Sequence, residues 1–330
     1  MNKIACEAAN YYSKDFDWEQ LRKEVESDLS IRFHLLPYSS KEIVTTQNQN
    51  SEAWDKFHAR HSTGKFFKER RYLLKEFPEL ACCNKDYAKV LEVGCGNGST
   101  ALPLLRYYVK LIDDIPLQNL KHGRRYFTRG LENIVLYACD CSNEALERTK
   151  ELINATIPIS AKNRFRPFQC DFSTTDFPSW LAYPVSDHSH KINDLNPFCS
   201  DENNCIGGVD FVTLIFTLSA LPLDKMAEGI ARCFAVLKPG GLLLFRDYGL
   251  YDMTMLRFEA EQRVGYREYL RSDGTCSYFF CLDTVRNLTS AAGFNEVELE
   301  YCCVKSLNRR NGKTMKRVWV HGKFQKPVTS

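Results

Sequence analysis

No stretch of this sequence approaches the roughly 18 uninterrupted apolar residues that a membrane-spanning helix needs. The opening Met1-Asn2-Lys3-Ile4-Ala5-Cys6-Glu7 lacks the apolar core of a secretory signal. Asp15, Asp17, Glu19, Glu24, Glu26 and Asp28 argue against an acid-poor organelle leader. No membrane association is therefore expected, and the expected setting is cytoplasmic, with the nucleus as the other option. Cys-x-x-Cys is also missing, although there are fourteen cysteines. Their close pairs, Cys82-Cys83, Cys139-x-Cys141 and Cys302-Cys303, are poorly spaced for metal, so reduced thiols and no metal are expected. One constellation stays open as a zinc site or a plain polar insertion: His188-x-His190 with Cys199 and Cys205. No internal repeat is visible. A large excess of charge of one sign is lacking as well: the net charge is +3, which excludes a polycation.

What is present is the composition of a globular protein with a substantial core, 44% hydrophobic and 26% charged over 330 residues. Residues 1–50 read as a partly helical, partly mobile extension, and residues 51–85 as helical pieces around Ser62-Thr63-Gly64. From residue 86 onward strands alternate with helices. Lys89–Val93 is a short apolar strand running into Gly94-Cys95-Gly96-Asn97-Gly98, after which Ser99 opens a helix. Ile134–Cys139 ends at Asp140, with Ser142 as N-cap of the next helix. Phe165–Cys170 ends at Asp171. Val209–Phe216 is almost wholly apolar, as a strand covered on both faces must be. A helix from about Asp224 to Leu237 stops at Lys238-Pro239-Gly240-Gly241, and Leu242–Phe245 follows as the fifth strand. Asp283–Ala292 reads as a helix, and Val297–Val304 and Val318–Phe324 as the last strands. This rhythm predicts an α/β fold with a doubly wound, mostly parallel sheet of seven strands. Insertions at about 109–133 and 181–207 interrupt it. Basic residues cluster at Lys121-His122-Gly123-Arg124-Arg125 with Arg129, and from Lys305 to Lys326 without a carboxylate. Such clusters collect phosphates or are merely solvated surface.

Ligands of open α/β sheets bind beyond the carboxyl ends of the strands. Three successive strand ends here are glycine-rich or acidic. Gly94 and Gly96 let the backbone pass close to a ligand. Asp140 can accept both hydroxyls of a ribose, and Asp171 an exocyclic adenine amine. The spacing Glu92-x-Gly94-x-Gly96-x-Gly98 departs from the G-x-G-x-x-G of dinucleotide sites. It resembles motif I of class I methyltransferases, which implies S-adenosyl-L-methionine as cofactor and a Rossmann-like class I sheet.

A narrower resemblance rests on blocks in a fixed order. These are Trp54-Asp55-x-Phe57, Phe66-Phe67-Lys68-Glu69-Arg70, Glu76-Phe77-Pro78-Glu79-Leu80, Leu91–Gly96, Tyr137-Ala138-Cys139-Asp140 and Leu214–Ala220. Asp224-Lys225-Met226, Arg246-Asp247-Tyr248-Gly249, Arg271-x-Asp273-Gly274-Thr275, Tyr278-Phe279-Phe280 and Arg317-Val318-Trp319 follow. From about Trp54 to Pro327 the chain resembles the eukaryotic tRNA N3-methylcytidine methyltransferases. That resemblance implies methylation of cytidine 32 in the anticodon loop of serine, threonine or arginine tRNAs. It also implies tRNA as partner, with seryl-tRNA synthetase or another helper protein as a further one. Residues 51–85 would then be a cofactor lid and tRNA-binding segment. Carried over by position, Trp54, Gly94, Gly96, Asp140, Asp171, Phe172 and Ile215 contact the cofactor. His58 stands where relatives carry tyrosine, and a lid contact and an exposed loop histidine both stay open for it.

Cytosine N3 has a lone pair and is mostly unprotonated at neutral pH, so alignment rather than a general base carries the reaction. On this reading Ser219, Arg246 and Asp247 form the catalytic set. Ser219 grips the base, Arg246 meets O2 and Asp247 meets the N4 amine. The competing reading for Arg246 and Asp247 is a salt bridge that shapes the pocket. Phe66 and Tyr278 would stack on the base unless they are core, and Arg70 and Arg317 would hold phosphates. The fold alone leaves two other functions: a class I methyltransferase acting on a protein or small molecule, and an RNA-binding module with a vestigial site.

Overall fold

The computed structural model describes residues 14–38, 50–61, 69–81, 88–113, 134–184, 205–307, 312 and 314–328. Phe66, the basic cluster at 121–129, and His188, His190 and Cys199 lie outside the described residues.

Five parallel strands form the heart of the sheet: β1 (Ala88–Val93), β2 (Ile134–Asp140), β3 (Phe165–Gln169), β4 (Val209–Ile215) and β5 (Leu237–Tyr248). Three short strands intervene before the last two of the large sheet. These are β6 (Arg263–Gly265), β7 (Glu268–Leu270) and β8 (Cys276–Tyr278), and they make a separate antiparallel sheet that the alternating pattern did not announce. β9 (Asn295–Leu307) and β10 (Thr314–Gln325) complete a seven-stranded sheet in the order β3-β2-β1-β4-β5-β10-β9. β10 runs antiparallel to both its neighbours. β5 runs past the expected Phe245 to Tyr248 because Trp319–Gln325 of β10 pairs with it from Tyr248 back to Leu242. Antiparallel pairing extends the ladder wherever the partner does, whatever the local sequence.

The helices α1 (Trp18–Ser27), α2 (Asn50–Arg60), α3 (Leu73–Glu76), α4 (Ala101–Asp113), α5 (Asn143–Thr156), α6 (Leu223–Val236) and α7 (Leu282–Ala291) pack around this frame. Ser142 caps α5 by accepting from Ala145 N at 3.3 Å, as its position before the helix predicts. The core divides by strand face. Leu91, Val93, Leu214 and Phe245 enter one layer with α6, and Val90, Leu136, Ala138 and Leu244 enter the other with α4 and α5. Leu91 and Leu214 are completely buried, and truncating either to alanine costs about 2–5 kcal/mol. A third cluster docks α1 through Leu21 and Val25 onto Tyr251, Met255 and Tyr269, and Trp18 stacks on Tyr301 with ring centres 4.5 Å apart. Among the described residues no helix is long and apolar enough to cross a membrane.

Candidate active site

Because β1 to β5 are parallel, their carboxyl ends meet along one edge, and a cleft opens there between the β1 and β4 branches. It encloses about 960 Å³ including its mouth. The loop after β1 is fixed from three sides. Asp140 Oδ2 accepts from Gly96 N at 2.8 Å, Thr149 Oγ1 donates to Gly96 O at 2.8 Å, and Thr217 Oγ1 donates to Val93 O at 3.1 Å. Gly94 has φ +68°, and a Cβ there would stand 2.3 Å from Thr217 Cγ2, so only glycine fits. Gly96 has φ +53° and open space ahead of it, the nearest atom being His58 Cε1 at 3.6 Å from a built Cβ.

Trp54 and His58 lie one helical turn apart on α2, and with Ser51 they form the face that α2 turns to the cleft. His58 is buried; desolvation holds its pKa below the ordinary value against the pull of Asp140, so the ring stays neutral near pH 7. Asp140, Asp171 and Phe172 line the same end. Asp140 Oδ1 accepts from Ser142 N at 2.9 Å and Asp171 Oδ1 from Ser173 N at 3.1 Å, which sets both carboxylates in place. Each carboxylate oxygen has two lone pairs, leaving acceptor capacity toward the cleft. A glycine loop, two fixed acceptors and the rings of Trp54 and Phe172 in one cleft suit the chemistry of S-adenosyl-L-methionine. Ile215 is different: it is buried in the core, and the next two residues, Phe216 and Thr217, form the wall. The expectation that Ile215 reaches the cleft is corrected: its two successors line it instead. Phe216 has φ +55°, a strained conformation for a phenylalanine, and the twist places its ring 5.0 Å from that of Tyr248 and beneath the Arg70 guanidinium at 5.5 Å.

Ser219 and Arg70 line the cleft, with Arg70 Nη1 donating to Thr100 Oγ1 at 2.8 Å. Four other expectations are corrected. Arg246 is 1% exposed on the opposite face of β5, ion-paired with Glu76 of α3 and held over the rings of Trp319 and Tyr72 at 4.4 and 5.0 Å. It neither reaches a base edge nor pairs with Asp247, because adjacent residues of a strand point to opposite faces. Asp247 is fully buried and does not line the cleft. Its Oδ2 accepts from Ser219 N at 2.9 Å and its Oδ1 from Tyr248 N at 2.8 Å. It therefore holds the Leu218–Ala220 turn in place, and burial lifts its pKa to about 6 despite those bonds. Tyr278 is core, packed on Phe280 with ring centres 4.8 Å apart. Arg317 does not line the cleft, and its Nε donates to Asp252 Oδ2 at 2.8 Å. Three lysines of the C-terminal basic run are also engaged within the chain: Lys316 pairs with Glu24 at the surface, Lys323 with Glu79 and Glu298, and Lys326 Nζ donates to the carbonyls of Phe234 and Leu237.

The wall also holds residues that the sequence reading passed over, among them Phe216, Tyr248, Arg271, Cys276 and Ser277. Phe216, Tyr248 and Arg271 stand in the sequence only as members of the blocks that carry the resemblance. Among the described residues no His, Cys, Asp and Glu group is arranged to hold a metal.

A family model described as a methyltransferase domain matches residues 64–299. The tRNA N(3)-cytidine methyltransferase METTL6 of Homo sapiens is 35% identical over 284 residues, 85% of this chain and 82% of that protein. The tRNA N(3)-methylcytidine methyltransferase Mettl2 of Drosophila melanogaster is 30% identical over 321 residues, 94% of this chain and 83% of its own length. O-methyltransferase 3 of Dictyostelium discoideum is 33% identical over 259 residues, 77% of this chain but 47% of that protein. A solved SAM-dependent methyltransferase from Anabaena variabilis superposes with a TM-score of 0.52 at 10% identity, covering 88% of this chain and all of its own, which is a likeness of fold.

Proposed function

This chain belongs to the tRNA N3-cytidine methyltransferase family, and on that premise we propose that its cleft aligns N3 of a tRNA cytidine with the methyl group of S-adenosyl-L-methionine. One observation carries the reading: two chemically different walls share a single cavity. The Gly94–Gly96 loop, Asp140, Asp171, Phe172 and Trp54 suit the nucleoside and amino-acid parts of the cofactor. Phe216, Tyr248, Ser219, Arg70 and Arg271 offer stacking faces, a hydroxyl and cations to an unstacked base and its phosphates.

The bound cofactor supplies an electrophilic methyl on a sulfonium. Everything else falls to the chain. Thr217 and Asp140 fix the glycine loop from either side, so the donor pocket needs little rearrangement on binding. Asp247 orients the Leu218–Ala220 turn and with it Ser219 at the acceptor end. His58, kept neutral by burial, closes the pocket without adding a cation beside a sulfonium. Cytosine N3 carries its own lone pair, so no side chain has to remove a proton before transfer.

The finer reading is N3 of cytidine 32 in the anticodon loop of serine, threonine or arginine tRNAs, delivered with seryl-tRNA synthetase or another helper protein. Motif order supports it, as does an acceptor wall whose cations and rings suit a loop base. The ten described cysteines are free thiols, which fits a reducing compartment such as the cytoplasm. Sequencing-based mapping of N3-methylcytidine in cells with and without this gene tests the proposal. Loss of the mark at position 32 of a tRNA subset is expected, and an unchanged map at every tRNA cytidine overturns it.

A further inference from the structure

We propose, resting on the cytosine reading above, that the small β6-β7-β8 sheet reads the acceptor base, with Arg271 gripping the carbonyl O2 and Ser277 Oγ accepting from the N4 amine. Both residues line the cleft, and neither belongs to the parallel sheet that builds the donor pocket. Ser277 is completely buried, and its Oγ has no hydrogen-bond partner among the described residues. Buried hydroxyls are almost always paired, so one that lines a cleft is placed for a ligand. Arg271 is half-buried, its guanidinium 5.9 Å from the Tyr248 ring, and no carboxylate pairs with it among the described residues.

The turn that joins them fixes their directions. Arg271 N donates to Thr275 O at 2.9 Å, Gly274 N to Arg271 O at 2.9 Å, and Asp273 Oδ1 accepts from both the N and the Oγ1 of Thr275. Gly274 supplies the left-handed residue, φ +87°, that this turn requires. β8 packs against the Leu218–Ala220 turn, so Ser277 and Ser219 line the cleft from adjoining elements.

Chemistry sorts the two contacts. A guanidinium only donates, so on the cytosine edge it is confined to O2 if the N3 lone pair is to stay available. The N4 amine only donates, and a hydroxyl oxygen accepts it. Held at both flanks, the base presents N3 between them, in line with the incoming methyl. Ser277 and Arg271 thus take the places on the base edge that strand order alone had suggested for Asp247 and Arg246.

The test pairs the protein with the base. Wild type, Ser277→Ala and Arg271→Ala are assayed on a tRNA carrying either cytosine or 2-pyrimidinone, which lacks the N4 amine, at the acceptor position. Ser277→Ala deletes only an unpartnered oxygen, so its melting temperature and S-adenosyl-L-methionine affinity serve as controls and are expected to match wild type. On cytosine it should lose about tenfold in kcat/KM, the worth of one hydrogen bond. Removing the amine weakens N3 in any enzyme, but the loss should be about tenfold smaller in Ser277→Ala than in wild type, while Arg271→Ala keeps the full loss. Equal losses in wild type and Ser277→Ala overturn the assignment of Ser277, and full activity of Arg271→Ala overturns that of Arg271. If wild type methylates no tRNA cytidine at all, it is the cytosine reading that fails.

Discussion

Replacing Arg246 with alanine separates a catalytic arginine from a structural one. The residue is 1% exposed, its Glu76 partner is fully buried, and His321 Nδ1 sits 3.1 Å from the same Glu76 oxygen. Truncation takes the guanidinium away from a buried carboxylate, a change that costs about 3–5 kcal/mol. The lost stacking over Trp319 and Tyr72 adds about 0.5–1 kcal/mol per ring at the low end. Against a typical total of about 5–15 kcal/mol this is a large fraction, and the melting temperature should fall by roughly 6 °C or more. Urea unfolding followed by tryptophan fluorescence measures it, with the slope against denaturant unchanged. At 15 °C, where the variant stays folded, its affinity for S-adenosyl-L-methionine should match wild type within about threefold, since Arg246 lies off the cleft. A variant as stable as wild type yet inert toward tRNA would refute this and return Arg246 to the substrate.

Four other perturbations follow from the same geometry. Gly94→Ala should cost several times more stability than Gly96→Ala, because its Cβ meets Thr217 at 2.3 Å whereas that of Gly96 meets only His58 at 3.6 Å; thermal melts of the two variants decide it. Asp247→Asn puts an amide N–H₂ against a backbone N–H, so kcat should fall about tenfold or more with cofactor affinity retained by calorimetry; unchanged turnover would remove the positioning role. Glu298, bonded by His321 and Lys323, is held at about 2 from an ordinary 4.5, so its stabilisation is complete above pH 4.5 and fades as pH falls toward 2. For His321, burial pulls the pKa down, but hydrogen bonds with Glu298 and Glu76 raise it above 6.5; its stabilisation is complete below pH 6.5 and fades as pH rises through the folded value. His321→Gln should flatten the alkaline slope in urea titrations across pH 6 to 9, and an unaltered slope would contradict the charged assignment.

The parallel strands were legible because continuous apolar runs ending in Gly94, Asp140 and Asp171 leave little choice of fold or of ligand edge. Arg246 was misread because β5 is apolar on both faces: Leu244 and Phe245 are both fully buried, so the local pattern does not say which face Arg246 shares. Its partner Glu76 stands 170 positions away. The same holds for Arg317, whose Asp252 is 65 residues off. That Ser277 rather than Tyr278 lines the cleft was not legible, because β8 spans three residues, too few for alternation to show which side faces it. Phe216 and Tyr248 stood inside the blocks of the resemblance but gave no sign of lining a site, since an aromatic at a strand end reads as core until the backbone turn is known.

The central claim is tested most directly by incubating the purified protein, with and without seryl-tRNA synthetase, with total tRNA and S-adenosyl-L-methionine carrying a labelled methyl, then digesting the RNA to nucleosides. The label should appear in N3-methylcytidine and in no other nucleoside. Label in a different nucleoside, or transfer to protein or small molecules while tRNA stays unlabelled, would contradict the account.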